Sequence, residues 1–101
     1  MTEAMYYILL VLTVPSHGYQ IMASVPRASQ GRVHMGPGTL YGVLTRMEAE
    51  RYIEIVDNDG RRKTYAITET GRAALRAETE RLQAMLEDQT RWREDTKCLT
   101  E

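Results

Sequence analysis

Three consecutive cations, Arg61-Arg62-Lys63, follow directly on Asn58-Asp59-Gly60. Long basic side chains that leave a tight turn can neutralise phosphates along a nucleic-acid backbone. Each phosphate neutralised steepens the salt dependence of binding by about 0.9 log units per log unit of salt. The other use of such a cluster is to blunt an exposed strand edge. A second group lies upstream, where Gly36-Pro37-Gly38 precedes Thr39 and Tyr41. Hydroxyls at the open start of a helix can hydrogen-bond phosphates or base edges, and the N–H groups there favour the same anions. The competing role for Thr39 is a plain helix cap. Arg46 can clamp a phosphate or pair with Glu50 four residues on. Tyr19 can reach a phosphate or pack beneath a reading helix.

Other chemistries find little support. His17, His34 and the single Cys98 do not have the spacing of a metal site. Cys98 has no second cysteine to pair with, and the expected compartment is the reducing cytoplasm. There is no activated Cys–His pair, no pair of acids beside a pocket and no phosphate loop. Gly36-x-Gly38 lacks the spacing and the strand–turn–helix context of a nucleotide fingerprint. The expectation is a non-enzymatic protein with no cofactor and no metal.

Those residues need a frame. The 101 residues, 43% hydrophobic and 27% charged, suit one folded domain with a modest core and exclude disorder. Net charge is −1, which does not announce a nucleic-acid partner, but its distribution is uneven. Residues 1–26 carry only Glu3, residues 27–63 are net +2 and residues 64–101 net −2. The longest apolar run, Ala4–Val14, is shorter than the roughly 20 residues a membrane span requires. It also lacks the basic flank of a secretory signal, so no membrane partner is expected.

The run instead predicts a buried helix over 3–14, closed by Pro15. Ser16 is a plausible cap for a second helix over 17–25, with Pro26 as a stop or kink. Val33-His34-Met35 reads as a short strand. Pro37 then opens a third helix, with Leu40, Val43, Leu44 and Met47 at i, i+3, i+4 and i+7 as its buried stripe. After Arg51 the period falls to two. Residues 52–57 and 61–68 read as strands joined at Asp59-Gly60, a strong hairpin signal. Thr68 caps a last helix over 69–95, about 40 Å long at 1.5 Å per residue. Leu75, Leu82, Met85, Leu86 and Trp92 form its apolar stripe. A core built from the preceding residues cannot cover that length, so the far half is expected to pack on another chain.

Helices followed by a hairpin form the winged helix-turn-helix layout, with the third helix in the major groove and the hairpin as the wing. The fold class expected is mainly α with a small β-hairpin. Residues 1–70 form the winged-helix DNA-binding domain, and residues 71–101 a C-terminal dimerisation helix and tail. Three segments carry a more specific likeness: His17-Gly18-Tyr19, Gly36–Leu44 and Arg61–Gly71. In these the chain resembles the PadR family of transcriptional regulators, in its shorter form with a single C-terminal helix. The resemblance implies a homodimer joined by the first and last helices. It also implies repression at a two-fold symmetric operator of double-stranded DNA, often released by a small molecule. Two positions depart from the family pattern. Pro26 falls where the second helix usually continues. Arg51 falls where a glycine usually ends the third, at a cost of about 1 kcal/mol if that backbone is left-handed.

The expected DNA-binding set is therefore Thr39, Tyr41, Arg46, Arg61, Arg62, Lys63 and Tyr19. The expected dimer interface or effector pocket is Tyr6, Leu9, Leu82, Met85, Leu86 and Trp92. Trp92 is either an anchor of the dimer core or one wall of a site for a small aromatic effector. The alternative function is a protein-interaction module on the same scaffold, because fold does not dictate function.

Overall fold

Thr2 opens the first helix, α1 (Glu3–Val11), by accepting a hydrogen bond from the Met5 amide at 3.1 Å. The computed structural model describes residues 1–100, with side chains as far as Lys97. Glu101 and the Cys98 side chain lie outside the described residues. α1 stops short of the expected residue 14. Leu12 caps it, and the Leu12 carbonyl accepts from the Ile67 amide at 3.1 Å instead of extending the helix ladder.

Ser16 and His17 form a two-residue strand, β1, and α2 spans Gly18–Ala28. The helix runs through Pro26, so the proline is not the stop that was one of its two expected roles. An interior proline costs about 3 kcal/mol. Ile21 and Val25, both fully buried, offset this at about 1.5–3 kcal/mol each. Residues 33–35 are not a strand. The buried Ser29 hydroxyl instead holds Val33, accepting from its amide at 2.9 Å and donating to its carbonyl at 3.2 Å. Gln30 (φ 56°) and Gly31 (φ 80°) turn the chain, and the Gly31 amide returns to the Pro26 carbonyl at 2.8 Å. Arg32 anchors the loop by donating to the Tyr7 hydroxyl at 2.7 Å.

α3 spans Pro37–Ala49, and Leu40, Leu44 and Met47 are fully buried as its spacing predicts. It ends in a Schellman motif. The Tyr52 amide donates to the Met47 carbonyl at 3.0 Å and the Arg51 amide to that of Glu48 at 2.9 Å. Arg51 is left-handed (φ 66°), so a long side chain occupies a position that favours glycine.

The hairpin strands are β2 (Ile53–Asn58) and β3 (Lys63–Ile67). The antiparallel sheet has the order β1-β3-β2, with Ser16 opposite Tyr65 and Ile53 opposite Ile67. A bulge between Ile55 and Asp57 leaves Val56 outside the pairing. Tyr65 and Ile67 face the core, with residues from α1, α2 and α3.

α4 (Glu69–Thr100) starts where Thr68 ties three strands of chain together. Its hydroxyl accepts from the Gly71 amide at 2.9 Å and bonds the Arg51 carbonyl at 2.7 Å, while its amide donates to the Tyr52 carbonyl at 3.1 Å. At 32 residues the helix is about 48 Å long. Among the described residues Leu75 is its last apolar side chain packed on the core. Beyond it the helix projects, giving the chain an extent of 66 Å by 26 Å by 19 Å. Among the described residues no helix is long and apolar enough to cross a membrane.

Candidate nucleic-acid interface

The hairpin tip is built by two short side chains. Asn58 Oδ1 accepts from the Gly60 amide at 3.1 Å, and Asp59 Oδ1 accepts from the Arg61 and Arg62 amides at 2.9 Å and 2.8 Å. Gly60 supplies the positive φ of 88° that the turn needs. The Arg62 and Arg61 amides hold the Asp59 carboxyl below its ordinary range. The tip is thus rigid backbone from which exposed cations extend.

β1 brings that hairpin to the start of α2. His17 pairs with Thr64 across the sheet, and its ring caps α2. An open cleft of about 460 Å³ results, lined by His17, Gly18, Tyr19, Tyr41, Thr45, Arg61, Arg62, Lys63 and Tyr65. None of these residues is acidic. Tyr19 is 73% exposed and Tyr41 48%. Thr45 donates to the Tyr41 carbonyl at 2.8 Å, one turn further along α3. Tyr65 is nearly buried. Its hydroxyl is pushed above the usual range by that burial first, then by Glu48 and Tyr41. The cleft can attract and hydrogen-bond an anion with cations on one wall and hydroxyls on the other.

Five of the expected contact residues therefore converge: Tyr19, Tyr41, Arg61, Arg62 and Lys63. Two stand outside the cleft. Thr39 is exposed on the first turn of α3 and does not cap it, because Gly36 is the cap and makes no side-chain bond. Arg46 pairs with Glu50 at 3.2 Å but remains 71% exposed, a surface pair worth about 0.3–0.5 kcal/mol. His17, Thr45 and Tyr65 join the cleft without having been expected there. The signal for His17 and Tyr65 was β1, and a two-residue strand has no readable period.

The second expected set divides. Tyr6 hydrogen-bonds Thr79 at 2.9 Å, tying α1 to α4. Leu9 is a correction: it is fully buried in the protomer core and has no surface to offer a partner or effector. Its place on the innermost line of α1, one residue after Ile8, explains this. Leu82, Met85, Leu86 and Trp92 are all exposed along α4, Trp92 at 66%. Among the described residues no group of three or more His, Cys, Asp or Glu is placed to hold a metal.

Known proteins resemble the chain in sequence and in fold. A protein of 37.1 kDa from a Streptomyces fradiae transposon is 39% identical over 64 residues, covering 63% of this chain and 18% of the relative. The Escherichia coli transcriptional regulator YqjI is 30% identical over 78 residues, covering 77% of this chain and 37% of that protein. The chain thus spans well under half the length of these curated relatives. The crystal structure of a PadR family transcriptional regulator from Eggerthella lenta superposes with a TM-score of 0.67 at 27% identity, over 82% of this chain and 70% of that one. Residues 8–77, from α1 through the first turns of α4, match the family model, and the chain belongs to the PadR-like family of transcriptional regulators.

Proposed function

We propose that the protein regulates transcription by binding duplex DNA as a homodimer, acting as a repressor at a two-fold symmetric operator. α3 enters the major groove, with Thr39, Tyr41 and Arg46 toward the DNA, and the hairpin lies on the phosphate backbone. The observation that carries this reading is the cleft beside α3, where Arg61, Arg62 and Lys63 meet the hydroxyls of Tyr19, Tyr41 and Thr45 with no carboxylate in the lining. Phosphates position such a protein on DNA, and base-edge contacts give it sequence preference.

Residues 1–70 form the reading unit and residues 71–101 the pairing arm. The exposed stripe of Leu82, Met85, Leu86 and Trp92 supports a second copy as the occupant of α4. Two reading heads then sit about 34–36 Å apart, one turn of the duplex. Release by a small aromatic effector near Trp92 completes the proposal. Selection of bound duplexes from the organism's own genome tests it: recovery of sites with inverted half-sites is the expected result. Recovery of no duplex at all would point to a protein partner for the same surface.

A further inference from the structure

His17 meets a hydrogen-bond donor at each ring nitrogen. Nδ1 faces the Gln20 amide at 3.4 Å, and Nε2 faces Arg62 Nη1 at 3.4 Å. A neutral imidazole has one acceptor nitrogen. A protonated ring has none. One of the two donors therefore lacks an acceptor in every state of the ring. The capping box decides which. The His17 amide donates to Gln20 Oε1 at 3.1 Å and the ring accepts from the Gln20 amide in return, a reciprocal pair that favours the tautomer with the proton on Nε2. Nε2–H and the Arg62 guanidinium then meet donor to donor, in the lining of the cleft. Asp59, the acid that feels the Arg62 charge, spends its Oδ1 on the backbone amides of the hairpin tip.

We propose that a single phosphodiester of the bound duplex seats in this gap, accepting from His17 Nε2–H and Arg62 Nη1–H together. The inference rests on the DNA-binding reading above and adds His17 to the contact set. The acceptor it supplies is the one the geometry lacks. Because β1 pairs His17 with Thr64, the seat joins the start of α2 to the wing. Both donors serve one anion, so losing either weakens what the other contributes.

The test compares the full chain with His17→Asn, Arg62→Ala and the double variant, by anisotropy on a short duplex of mixed sequence at several salt concentrations. Asparagine retains a good helix cap but cannot reach the gap. Each single change is expected to weaken binding about tenfold, the scale of one hydrogen bond to a charged group. The double variant should lose little more than Arg62→Ala alone. Arg62→Ala should flatten the salt dependence more than His17→Asn does, since the guanidinium carries a fixed charge that neutralises a phosphate. A double variant that loses the product of the two single effects, or a His17→Asn protein that binds like the parent, overturns the seat. Nitrogen NMR of the His17 ring gives a readout independent of affinity. The Nε2–H tautomer is expected, with slower Nε2–H exchange once duplex is added, and an Nδ1–H tautomer overturns the proposal. Inorganic phosphate alone that reproduces the slowing as fully as duplex overturns its assignment to a phosphodiester. A parent protein that binds no duplex removes the DNA-binding reading itself, whereas parental binding with an unaffected His17→Asn removes only the seat.

Discussion

The ring of Tyr41 on α3 occupies the space that a side chain at Gly18 on α2 would need. A Cβ built on Gly18 would lie 2.7 Å from Tyr41 Cζ and 3.0 Å from Cε1. Tyr41 as a whole is half exposed, so the ring can swing away from an added methyl. Gly18→Ala should therefore cost about 1 kcal/mol or less of stability, the scale of one displaced rotamer. Its larger effect should be on duplex binding, because the Tyr41 hydroxyl leaves the cleft. Thermal unfolding and a mobility-shift titration on the same variant separate the two. An unchanged affinity would show that Tyr41 is not held in place for DNA.

Gly71 makes the opposite case. There the obstacle is backbone: the Tyr52 carbonyl stands against the glycine, and Ile67 Cγ1 would lie 2.8 Å from an added Cβ. Neither can move without disturbing the junction that Thr68 ties together. Gly71→Ala should destabilise by about 2–3 kcal/mol, as overpacking of a rigid site does. Thr68→Val removes the helix cap and the bond to Arg51, and should cost about 1–2 kcal/mol. Urea unfolding at one fixed protein concentration measures both, since the proposed pairing of two copies would make stability depend on concentration. A Gly71→Ala midpoint equal to the parent's would contradict the junction's rigidity.

Much of this frame is legible in the residues, and what is not has physical causes. The α3 stripe of Leu40, Val43, Leu44 and Met47 and the Asp59-Gly60 turn are local signals, so α3 and the hairpin follow directly. β1 is not legible because Ser16 and His17 are too few to show a period, and their pairing with β3 is a tertiary event. Pro26 misleads because propensity is local, whereas the burial of Ile21 and Val25 that sustains α2 is not. Residues 33–35 alternate like a strand but are not paired in the sheet, and Ser29 takes both backbone groups of Val33. The site divides the same way. Arg61–Lys63 and Tyr41 announce themselves by position, while His17 and Tyr65 enter the cleft only because β1 lies beside β3.

Asp59 links the hairpin tip to pH. Its carboxyl is held below the ordinary value of 3.8, chiefly by the amides of Arg62 and then Arg61. A carboxylate favoured by the fold adds stability that is complete above the unfolded value and is lost as pH falls through the lower, folded one. The tip should therefore stay ordered at pH values above 3.8 and loosen only below. Amide exchange at Arg61 and Arg62 by NMR reads this directly, and Asp59→Ala should show the loosened tip at neutral pH. Protection that is the same in the variant and the parent would dismiss the Asp59 contacts as incidental.

The wing cations are expected to act through charge more than through shape. Arg61→Ala with Arg62→Ala should weaken duplex binding and lower the slope of log affinity against log salt by up to about 1.8, two phosphates' worth. The loss should be similar for duplexes of different sequence, because phosphate contacts carry no base information. Mobility shifts across a salt series on two unrelated duplexes test this. An unaltered slope would place the wing away from the backbone.

The stripe on α4 sets the last expectation. Leu82, Met85 and Leu86 are 43%, 52% and 60% exposed, and Trp92 more so. Covering a Leu fully adds about 1.5–3 kcal/mol relative to leaving it in water, and a dimer gains this from both copies. A carboxylate placed there would be desolvated without a partner in the pair, yet would sit harmlessly in water on a single chain. Leu86→Glu should thus leave the protomer folded and shift the dimer toward monomer, by a factor that sedimentation over a dilution series reads. Circular dichroism should stay unchanged at concentrations where both forms exist. If the parent sediments as a monomer throughout, α4 is not a pairing arm. If Leu86→Glu instead unfolds the chain, Leu86 supports the protomer and the stripe is not a pairing surface.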